Sequence, residues 1–339
     1  MREVLPAADW VTALKAAGEP TRLRILMLLA AGELNVKDLT LILGQSQPRL
    51  SRHLKLLAEA GLVERFREGS WVYFQLCDRT TVQRLTTRLL EAVDPFDPIA
   101  LRDKERANAL KRERESAAQD FFRQHAGEWD QIRALHVAES EVEHAMQAAL
   151  GAGPFKLLVD LGTGTGRILE LFASVYERGL GYDVNQAMLT YSRSKLSSAQ
   201  LVRAQVRHGD IYNVSLADRS ASAVVMHQVL HFLSDPRRAV IEAARVLEPG
   251  GRLLIVDFAP HTLEFLAETE AHERLGFSHG LMAQWLEEAG LQTASVRDLA
   301  PNDDTNQDKL TVTLWVAELP AKQPAQSYPA HLVLQEEPR

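Results

Sequence analysis

The feature that most constrains the fold is a short apolar run followed at once by three closely spaced glycines. The run KLLVDL, residues 156–161, is typical of a buried parallel strand, and GTGTGR follows as the turn into a helix that we predict over Ile168 to Val175. A strand, a glycine turn and a helix in this order can hold a nucleotide-like ligand. The segment therefore predicts an alternating α/β domain built on a parallel sheet.

The glycine spacing and the charge at the strand end discriminate between two ligand classes. A dinucleotide fingerprint would need glycine or alanine three residues after Gly164, but that position is Arg167, and the third glycine is Gly166. Asp160 at the strand end would repel a pyrophosphate and attract the ammonium and sulfonium charges of S-adenosylmethionine (SAM). We therefore expect SAM rather than NAD.

Two further aspartates follow predicted strands. GLGYD ends at Asp183, whose carboxylate can accept hydrogen bonds from both ribose hydroxyls, and HGDI places Asp210 where it can accept one from the adenine amino group. One aspartate alone would be read as a surface carboxylate. Three of them at successive strand ends predict a SAM site at one edge of the sheet.

This half of the chain resembles the class I SAM-dependent methyltransferases over residues 119–318. VDLGTGTG, GYDVNQAML, HGDI, HQVLHFLSDP and ARVLEPGGRLLIVDF match successive motifs of that family in order. The resemblance implies a Rossmann-like sheet of seven strands, the last antiparallel, and a helix over the ligand with Phe121, Trp129 and Arg133 as lining candidates. It implies these cofactor-binding residues: Asp160, Gly162, Thr163, Gly164, Gly166, Asp183, Met188, Asp210, Ile211 and His227.

Enzymatic activity is left open by the sequence, with a methyltransferase favoured. Methyl transfer is an in-line displacement from a sulfonium, so the protein mainly aligns an acceptor and excludes water. His227 and Gln228 at the end of the fourth strand, and His231 one turn on, are the candidate catalytic or orienting groups. For His231, packing or helix capping is an equally good interpretation.

A second polar group follows the fifth strand. We predict that His261, Glu264, Glu268 and His272 share one helical face, because their offsets are 3, 7 and 11. This face would be a polar lid over the acceptor or, as a weaker alternative, an oxygen and nitrogen metal site. A solvated helix is the favoured alternative to both, and we expect no metal site.

The first 78 residues predict two short helices across a glycine turn. Asn35 caps a helix from Val36 to Leu43, Gly44 ends it, and Ser46 caps the next helix, whose buried stripe ends before Gly61. VERFREGSWVYFQL then predicts a hairpin, with Glu68-Gly69 as the turn. We call this hairpin, residues 63–76, the wing.

The polar face of the helix that Ser46 caps, together with the wing, is suited to DNA. Residues 45–67 carry five basic against two acidic side chains, so this segment is positive within a chain of net charge -7. A helix-turn-helix followed by a basic hairpin predicts binding to duplex DNA. The candidate contacts are Ser46, Gln47, Arg49, Ser51, Arg52, His53, Lys55, Arg65 and Arg67.

Residues 19–76 resemble the ArsR/SmtB family of dimeric winged-helix repressors. The metal-sensing branch of that family carries cysteines in the segment that here reads ELNVKDL, where this chain has Asn35 and Lys37. Cys77 is the only cysteine, so neither an internal disulfide nor a thiolate-rich metal site can form within one chain, and arsenite methylation is rejected. We expect the controlling signal to enter elsewhere.

The connector between the two halves has two parts. An apolar stripe comes first, which the resemblance makes the dimer helix and which could instead pack on its own domain: Val82, Leu85, Leu89 and Val93. Residues 101–118 then hold six basic and four acidic residues, a composition that predicts a solvent-bridging helix. An arm that contacts nucleic acid is the less favoured interpretation.

Length and composition complete the predicted organisation. At 339 residues the chain exceeds the usual size of one core, and no apolar run approaches the about 18 residues of a membrane span. The start MREVLPAADW is unlike a secretory signal, so we expect a cytoplasmic protein without a membrane partner. The predicted parts are 1–95 (winged helix), 96–118 (helical linker), 119–318 (methyltransferase-type domain) and 319–339 (disordered tail).

The sequence therefore predicts a two-domain α/β protein, a DNA-binding regulator of repressor type with a SAM-binding domain. In the first hypothesis this domain senses SAM or S-adenosylhomocysteine (SAH) and biases operator affinity. In the second it methylates a small molecule and the protein represses its own operon. Modification of nucleic acid is disfavoured, because HQVLHF stands where an Asn/Asp-Pro-Pro-aromatic motif would be expected.

Overall fold

The computed structural model describes residues 6–68, 71–77, 80–129, 139–301 and 310–321. Its N-terminal part is a helical domain with a small sheet of order β1-β3-β2. The elements are α1 (Ala7–Ala17), α2 (Pro20–Leu29), β1 (Leu34–Asn35), α3 (Val36–Leu43), α4 (Gln47–Glu59), β2 (Val63–Glu68), β3 (Trp71–Leu76) and α5 (Thr80–Glu91).

Local signals set the ends of α3 and α4. The Asn35 side chain accepts a hydrogen bond from the Asp38 amide at 2.9 Å, and Gly44 ends α3 with φ of 64°. Ser46 precedes α4 as predicted, although its side chain makes no capping bond. The predicted buried stripe of α4 is confirmed, since Leu50, Leu54 and Leu57 are completely buried.

The wing is confirmed as an antiparallel hairpin, but its register differs from the prediction. Glu68 pairs with Trp71, so the two residues between the strands are 69 and 70 rather than Glu68 and Gly69. The prediction was one residue early, because the charged Glu68 extends the strand instead of turning. Gly69 itself lies outside the described residues, as does the side chain of Arg67.

The apolar stripe of α5 faces its own domain in part. Val82, Leu85 and Leu89 pack, partly buried, against the core that α2, α3 and α4 form. Val93 lies beyond the end of α5 at Glu91. The intradomain interpretation is thus realised for three of the four positions, and each of the three keeps some exposed surface.

One helix spans the predicted linker and the predicted start of the second domain. Helix α6 (Pro98–His125) has 28 residues, with Pro98 in its first turn and Asp97 accepting hydrogen bonds from the amides of Ile99 and Ala100 at 2.9 and 2.8 Å. The expected boundary at residue 118 therefore falls inside a continuous helix.

The second domain is a seven-stranded sheet of order β6-β5-β4-β7-β8-β10-β9 with helices on its faces. Strands β4 to β8 pair in parallel, and β10 is antiparallel to both β8 and β9, as predicted. The strands are β4 (Phe155–Leu161), β5 (Tyr176–Asp183), β6 (Ala204–His208), β7 (Ala221–His227), β8 (Leu247–Phe258), β9 (Gln292–Leu299) and β10 (Val312–Glu318). The helices are α7 (Glu139–Leu150), α8 (Arg167–Leu171), α9 (Gln186–Ser198), α10 (Pro236–Val246), α11 (Phe265–Thr269) and α12 (His279–Glu288).

Two features of this domain differ from the sequence prediction or lie outside the described residues. Helix α8 ends at Leu171 rather than Val175, because Tyr176 already begins β5 and Val175 turns the chain towards it. Residues 322–339 of the predicted tail lie outside the described part. No helix among the described residues is long and apolar enough to cross a membrane.

Candidate functional site

A cavity of about 450 Å³ opens at the carboxyl edge of the parallel strands. Carboxyl ends of strands are where open α/β sheets hold ligands. Eight of the ten predicted cofactor residues line it: Gly162, Thr163, Gly164, Asp183, Met188, Asp210, Ile211 and His227.

The three glycines of the turn have different structural roles. A side chain at Gly162 would place its Cβ 2.4 Å from Val229 Cγ2, and one at Gly166 would lie 2.3 Å from Ser192 Oγ. The nearest atom to such a Cβ at Gly164 is 3.8 Å away, on the Trp129 ring. Gly162 and Gly166 therefore permit close packing, while Gly164 presents backbone to the cavity below Trp129. Gly166 does not line the cavity, and its contact with the ligand stays a prediction.

Asp160 also lies outside the cavity lining. It is completely buried under the turn, and the Thr163 hydroxyl donates a hydrogen bond to it at 2.6 Å. Asp160 thus contacts a residue that lines the cavity, and its own contact with SAM stays a prediction.

Asp183 has the geometry expected of a ribose-binding carboxylate. Its oxygens accept hydrogen bonds from the Gly164 and Asn185 amides, each at 2.8 Å. Each oxygen has a second lone pair that can accept from a ribose hydroxyl. Burial raises the pKa of Asp183, and the amide hydrogen bonds oppose that rise.

Asp210, Ile211 and Tyr212 line the part of the cavity where adenine binding is predicted. Asp210 accepts a hydrogen bond from the Tyr212 amide at 2.9 Å. Lys111 and Arg238 lie 5.2 and 5.1 Å from the centre of the Tyr212 ring. With the open backbone at Gly164 and the free lone pairs of Asp183, the residues present fit SAM.

The candidate catalytic residues separate into two groups. His227 and Gln228 line the cavity, and Gln228 holds a left-handed backbone with φ of 49° while its amide donates to the Val256 carbonyl at 2.7 Å. His231 does not line the cavity. It is 2% exposed, and its Nδ1 lies 2.7 Å from Asp257, so packing is the interpretation that the structure favours.

An aromatic cluster forms the wall opposite the strands. The rings of Phe122 and Phe232 lie 4.8 Å apart, and Trp129 lies 5.1 Å from Phe122 and 5.9 Å from Phe232. Trp129 thus fills the predicted lining role, whereas Phe121 contacts it from outside the cavity at 6.4 Å. Arg133 lies outside the described residues.

The predicted helical face of residues 261–272 is wrong. Helix α11 covers only Phe265–Thr269, and Ala271 with φ of 59° reverses the chain so that His272 turns inward. His261 and His272 instead lie 6.1 and 5.8 Å from the Phe258 ring, and Glu264 is exposed. The side chain of Glu268 lies outside the described part, and no group of three possible metal ligands occurs among the described residues.

Helix α4 presents most of the predicted DNA face to solvent. The exposed members are Ser46, Gln47, Arg49, Ser51, Arg52, Lys55 and, on the wing, Arg65. His53 differs, since its ring turns towards α2 and its Nδ1 lies 3.5 Å from Glu19. Partial burial lowers the pKa of His53, and the negative charge of Glu19 opposes this decrease.

Sequence reasoning missed the contribution of α6 to the cavity. Five of its residues line the cavity, four of them at the spacing of one helical face: Lys111, Glu115, Gln119 and Phe122, with Ala118 beside them. The i, i+4, i+8, i+11 spacing was the available signal, but the surrounding charges suggested solvent. Ser234 and Arg238 at the start of α10 were missed for the same reason.

Two family models match separate parts of the chain. Residues 19–65 match the model for bacterial regulatory protein, arsR family, and residues 159–255 match that for a methyltransferase domain. The two matches do not overlap, and each coincides with one of the two folded parts.

Named relatives divide in the same way. An arsenical resistance operon repressor of Escherichia coli is 49% identical over 63 residues, which are 18% of this chain and 54% of the repressor. A probable S-adenosylmethionine-dependent methyltransferase of Mycolicibacterium smegmatis is 33% identical over 136 residues, 35% of this chain and 51% of that protein. An uncharacterized 37.1 kDa protein in transposon TN4556 of Streptomyces fradiae is 34% identical over 129 residues, 37% and 36% of the respective chains. The chain thus spans about a third to a half of these relatives.

Proposed function

The chain carries an ArsR-type regulator domain fused to a SAM-dependent methyltransferase domain, and from this premise we propose that it is a transcription regulator whose affinity for duplex DNA depends on SAM or SAH in the cavity. DNA would contact the exposed face of α4 and the wing, at these residues: Ser46, Gln47, Arg49, Ser51, Arg52, Lys55, Arg65 and Arg67. Repressors of this kind bind as dimers, and the half-exposed stripe of α5 is a suitable face for a second copy.

The observation that carries the proposal is that α6 both contacts the DNA-binding domain and lines the ligand cavity. Near its N-terminus, Asp103 accepts two hydrogen bonds from Arg24 of α2 at 2.5 and 2.8 Å. One turn on, Arg106 donates to the Ile42 carbonyl of α3 at 3.1 Å. The C-terminal half then forms the cavity wall. A helix of 28 residues extends about 42 Å, so one continuous element reaches from the DNA-binding domain to the ligand.

The ribose site is joined to α6 by a single residue. The Asn185 amide donates to Asp183 at 2.8 Å, and the Asn185 side chain donates to the carbonyl and side-chain oxygens of Gln119, each at 3.0 Å. Glu115 accepts a further hydrogen bond from Ser234 at 3.0 Å. A ligand that engages Asp183 therefore acts on a group bonded to α6, which supports a coupling between the two sites.

The test is the affinity of the protein for a duplex that it selects from a random-sequence pool, measured with and without saturating SAM or SAH. We expect one of the two ligands to change the dissociation constant for DNA by about 5- to 150-fold, the usual range of allosteric coupling. Asp183→Ala should weaken ligand binding by about 10- to 100-fold, because hydrogen bonds to a charged group are lost. Glu177→Ala, an exposed carboxylate on the same strand, is the matched control. Ligand binding in calorimetry without any change in DNA affinity would contradict the regulator.

A second function, methylation of a small molecule, is favoured by the backbone of Gln228. A non-glycine residue held at φ of 49° on the cavity wall is the kind of strain that clusters at reactive sites. SAM would supply the methyl group, while His227 and Gln228 orient the acceptor and the aromatic wall excludes water. Formation of SAH from SAM should then depend on an added acceptor, and Gln228→Ala should lower its rate. If no acceptor leads to SAH formation while DNA binding still depends on the ligand, the methylation function is contradicted and only the ligand-sensing function remains.

A further inference from the structure

A short loop joins the cavity wall to the DNA-binding domain by a route separate from α6. His231 and Phe232 belong to one 3-10 turn, and Phe232 lines the cavity. The His231 carbonyl accepts hydrogen bonds from the Glu273 and Arg274 amides at 2.8 and 3.1 Å. The His272 ring packs 4.3 and 5.1 Å from the rings of His231 and Phe232. A displacement of this turn therefore displaces the loop of residues 272–274.

The same loop reaches into the winged helix. Arg274 forms an ion pair with Glu33, just before β1, at 3.1 Å, and its guanidinium lies 4.3 Å from the centre of the Tyr73 ring on β3. The Tyr73 hydroxyl donates to the Glu273 carbonyl at 3.2 Å. Neighbouring residues of one loop thus make two contacts with Tyr73 of the wing and one with Glu33 before β1.

Helix α6 also takes part in these contacts between the loop and the winged helix. Arg114 pairs with Asp38 in the first turn of α3, and it also lies 3.5 Å from Glu273. The 272–274 loop, helix α6 and the DNA-binding domain therefore meet in one cluster of charged side chains. We call the six residues the interdomain network: Glu33, Asp38, Tyr73, Arg114, Glu273 and Arg274.

Most side chains of the network are largely buried, although Arg114 is 35% exposed and all six residues line a second cavity, of about 940 Å³. The side chains of Arg274 and Asp38 are each 4% exposed, and those of Glu273 and Glu33 are 10% and 11% exposed. Removing one partner of a buried pair leaves an uncompensated charge, which is far more costly than losing a surface pair. We therefore expect the ion pairs of the network to form or break together rather than one at a time.

The network also touches the surface proposed to bind DNA. Tyr73 stacks on Phe66 of β2, with ring centres 5.8 Å apart, and the neighbouring residue on that strand is the exposed Arg65. Phe66 itself packs against the core of the methyltransferase domain. A change at Tyr73 is thus passed to the strand that carries a basic side chain of the wing.

We propose that the interdomain network is a ligand-sensitive latch. Occupancy of the cavity moves the 231–232 turn, the turn moves the 272–274 loop, and the loop's ion pairs with Glu33 and Arg114 change the placement of the wing. The latch rests on the proposed function in one respect, namely that SAM or SAH is the occupant. It adds a regulatory route for that site which neither family match describes.

The experiment uses the full chain, SAH as the probe and two variants, Arg114→Gln and Arg274→Gln. Arg112→Gln is the matched control, because Arg112 is an exposed arginine on the same helix. Two quantities are measured with and without SAH: the dissociation constant for the selected duplex, and amide hydrogen exchange of residues 33–38 and 71–76. Arg114 is partly exposed, so its variant tests the latch even where Arg274→Gln disturbs folding.

In the wild type and in Arg112→Gln, SAH should change both quantities. Arg114→Gln and Arg274→Gln should bind SAH within about threefold of wild type, since neither residue lines the cavity. In both variants the effect of SAH on DNA affinity should fall at least about fivefold, and exchange of residues 33–38 should no longer respond.

Other results separate the latch from the proposed function. Coupling and exchange responses that persist in both variants would overturn the latch, and so would a wild-type change in DNA affinity without any response at 33–38. A response at 33–38 that depends on Arg114 and Arg274 but leaves DNA affinity unchanged would keep the latch and overturn the regulator. Failure of SAH to bind would overturn both.

Discussion

Single residues at the ligand site show how position decides the role of a chemical group. Asp160 and Asp183 both end predicted strands, yet Asp160 is buried beneath the turn while Asp183 lines the cavity. Gly162, Gly164 and Gly166 all have positive φ, yet only at Gly164 would a Cβ avoid a clash, its nearest atom being 3.8 Å away on the Trp129 ring. The sequence motif identifies these residues as a group, and tertiary packing determines which of them line the cavity and which are buried.

The packing role of Gly162 leads to a stability prediction. Gly162→Ala combines φ of 77° with a Cβ 2.4 Å from Val229, so we expect a loss of about 2–4 kcal/mol in the free energy of unfolding. Gly290→Ala has nearly the same φ, 78°, but meets no atom within 4 Å, and should lose about 1–2 kcal/mol. Denaturant unfolding of the two variants measures the difference. Equal losses would mean that the contact with Val229 is unimportant.

At the scale of elements, α4 and α6 are both rich in basic residues, but the charged side chains of the two helices meet different surroundings. The polar residues of α4 stay exposed, apart from His53, which turns towards Glu19. The charges of α6 make contacts with both domains, among them Asp103 with Arg24 and Arg114 with Glu273. Charge composition therefore predicted a polar helix in both cases and could not tell whether solvent or protein would meet it.

The exposed face of α4 gives a prediction for DNA binding. Arg52→Ala should weaken binding to the selected duplex and reduce the slope of log affinity against log salt by about 0.9, the contribution of one phosphate contact. Arg178→Ala removes an exposed arginine of the methyltransferase domain and should leave the slope unchanged. Fluorescence anisotropy across a salt series makes the comparison. An unchanged slope for Arg52→Ala would remove α4 from the DNA interface.

At the scale of the whole molecule, two folded parts share one helix and one buried network. The ion pair between Arg274 and Glu33 and the pair between Arg114 and Asp38 join residues 241 and 76 positions apart. Separate domains with a small polar contact would be expected to move and to unfold independently. Here the shared contacts are buried and charged, which favours cooperative behaviour.

Calorimetry tests this cooperativity. We expect the wild-type chain to unfold in one transition, because exposing one domain leaves the buried charges of the other without partners. The double variant Arg114→Gln with Arg274→Gln should show two resolved transitions, and Arg112→Gln should keep one. Two transitions already present in the wild type would mean that the network does not couple the stabilities of the domains.

The sequence by itself determined the elements and the chemistry at the strand ends. The cap at Asn35, the helix end at Gly44, the apolar stripe of α4, the glycine turn and Asp183 each depend on residues that are close together in the chain. They could therefore be predicted without knowledge of the tertiary structure. The tertiary structure alone decided which of these groups meet. The burial of Asp160, the inward turn of His272, the cavity wall on α6 and the network between Glu33 and Arg274 all depend on how distant segments pack. Such contacts are governed by the placement of whole elements, on which local spacing carries no information.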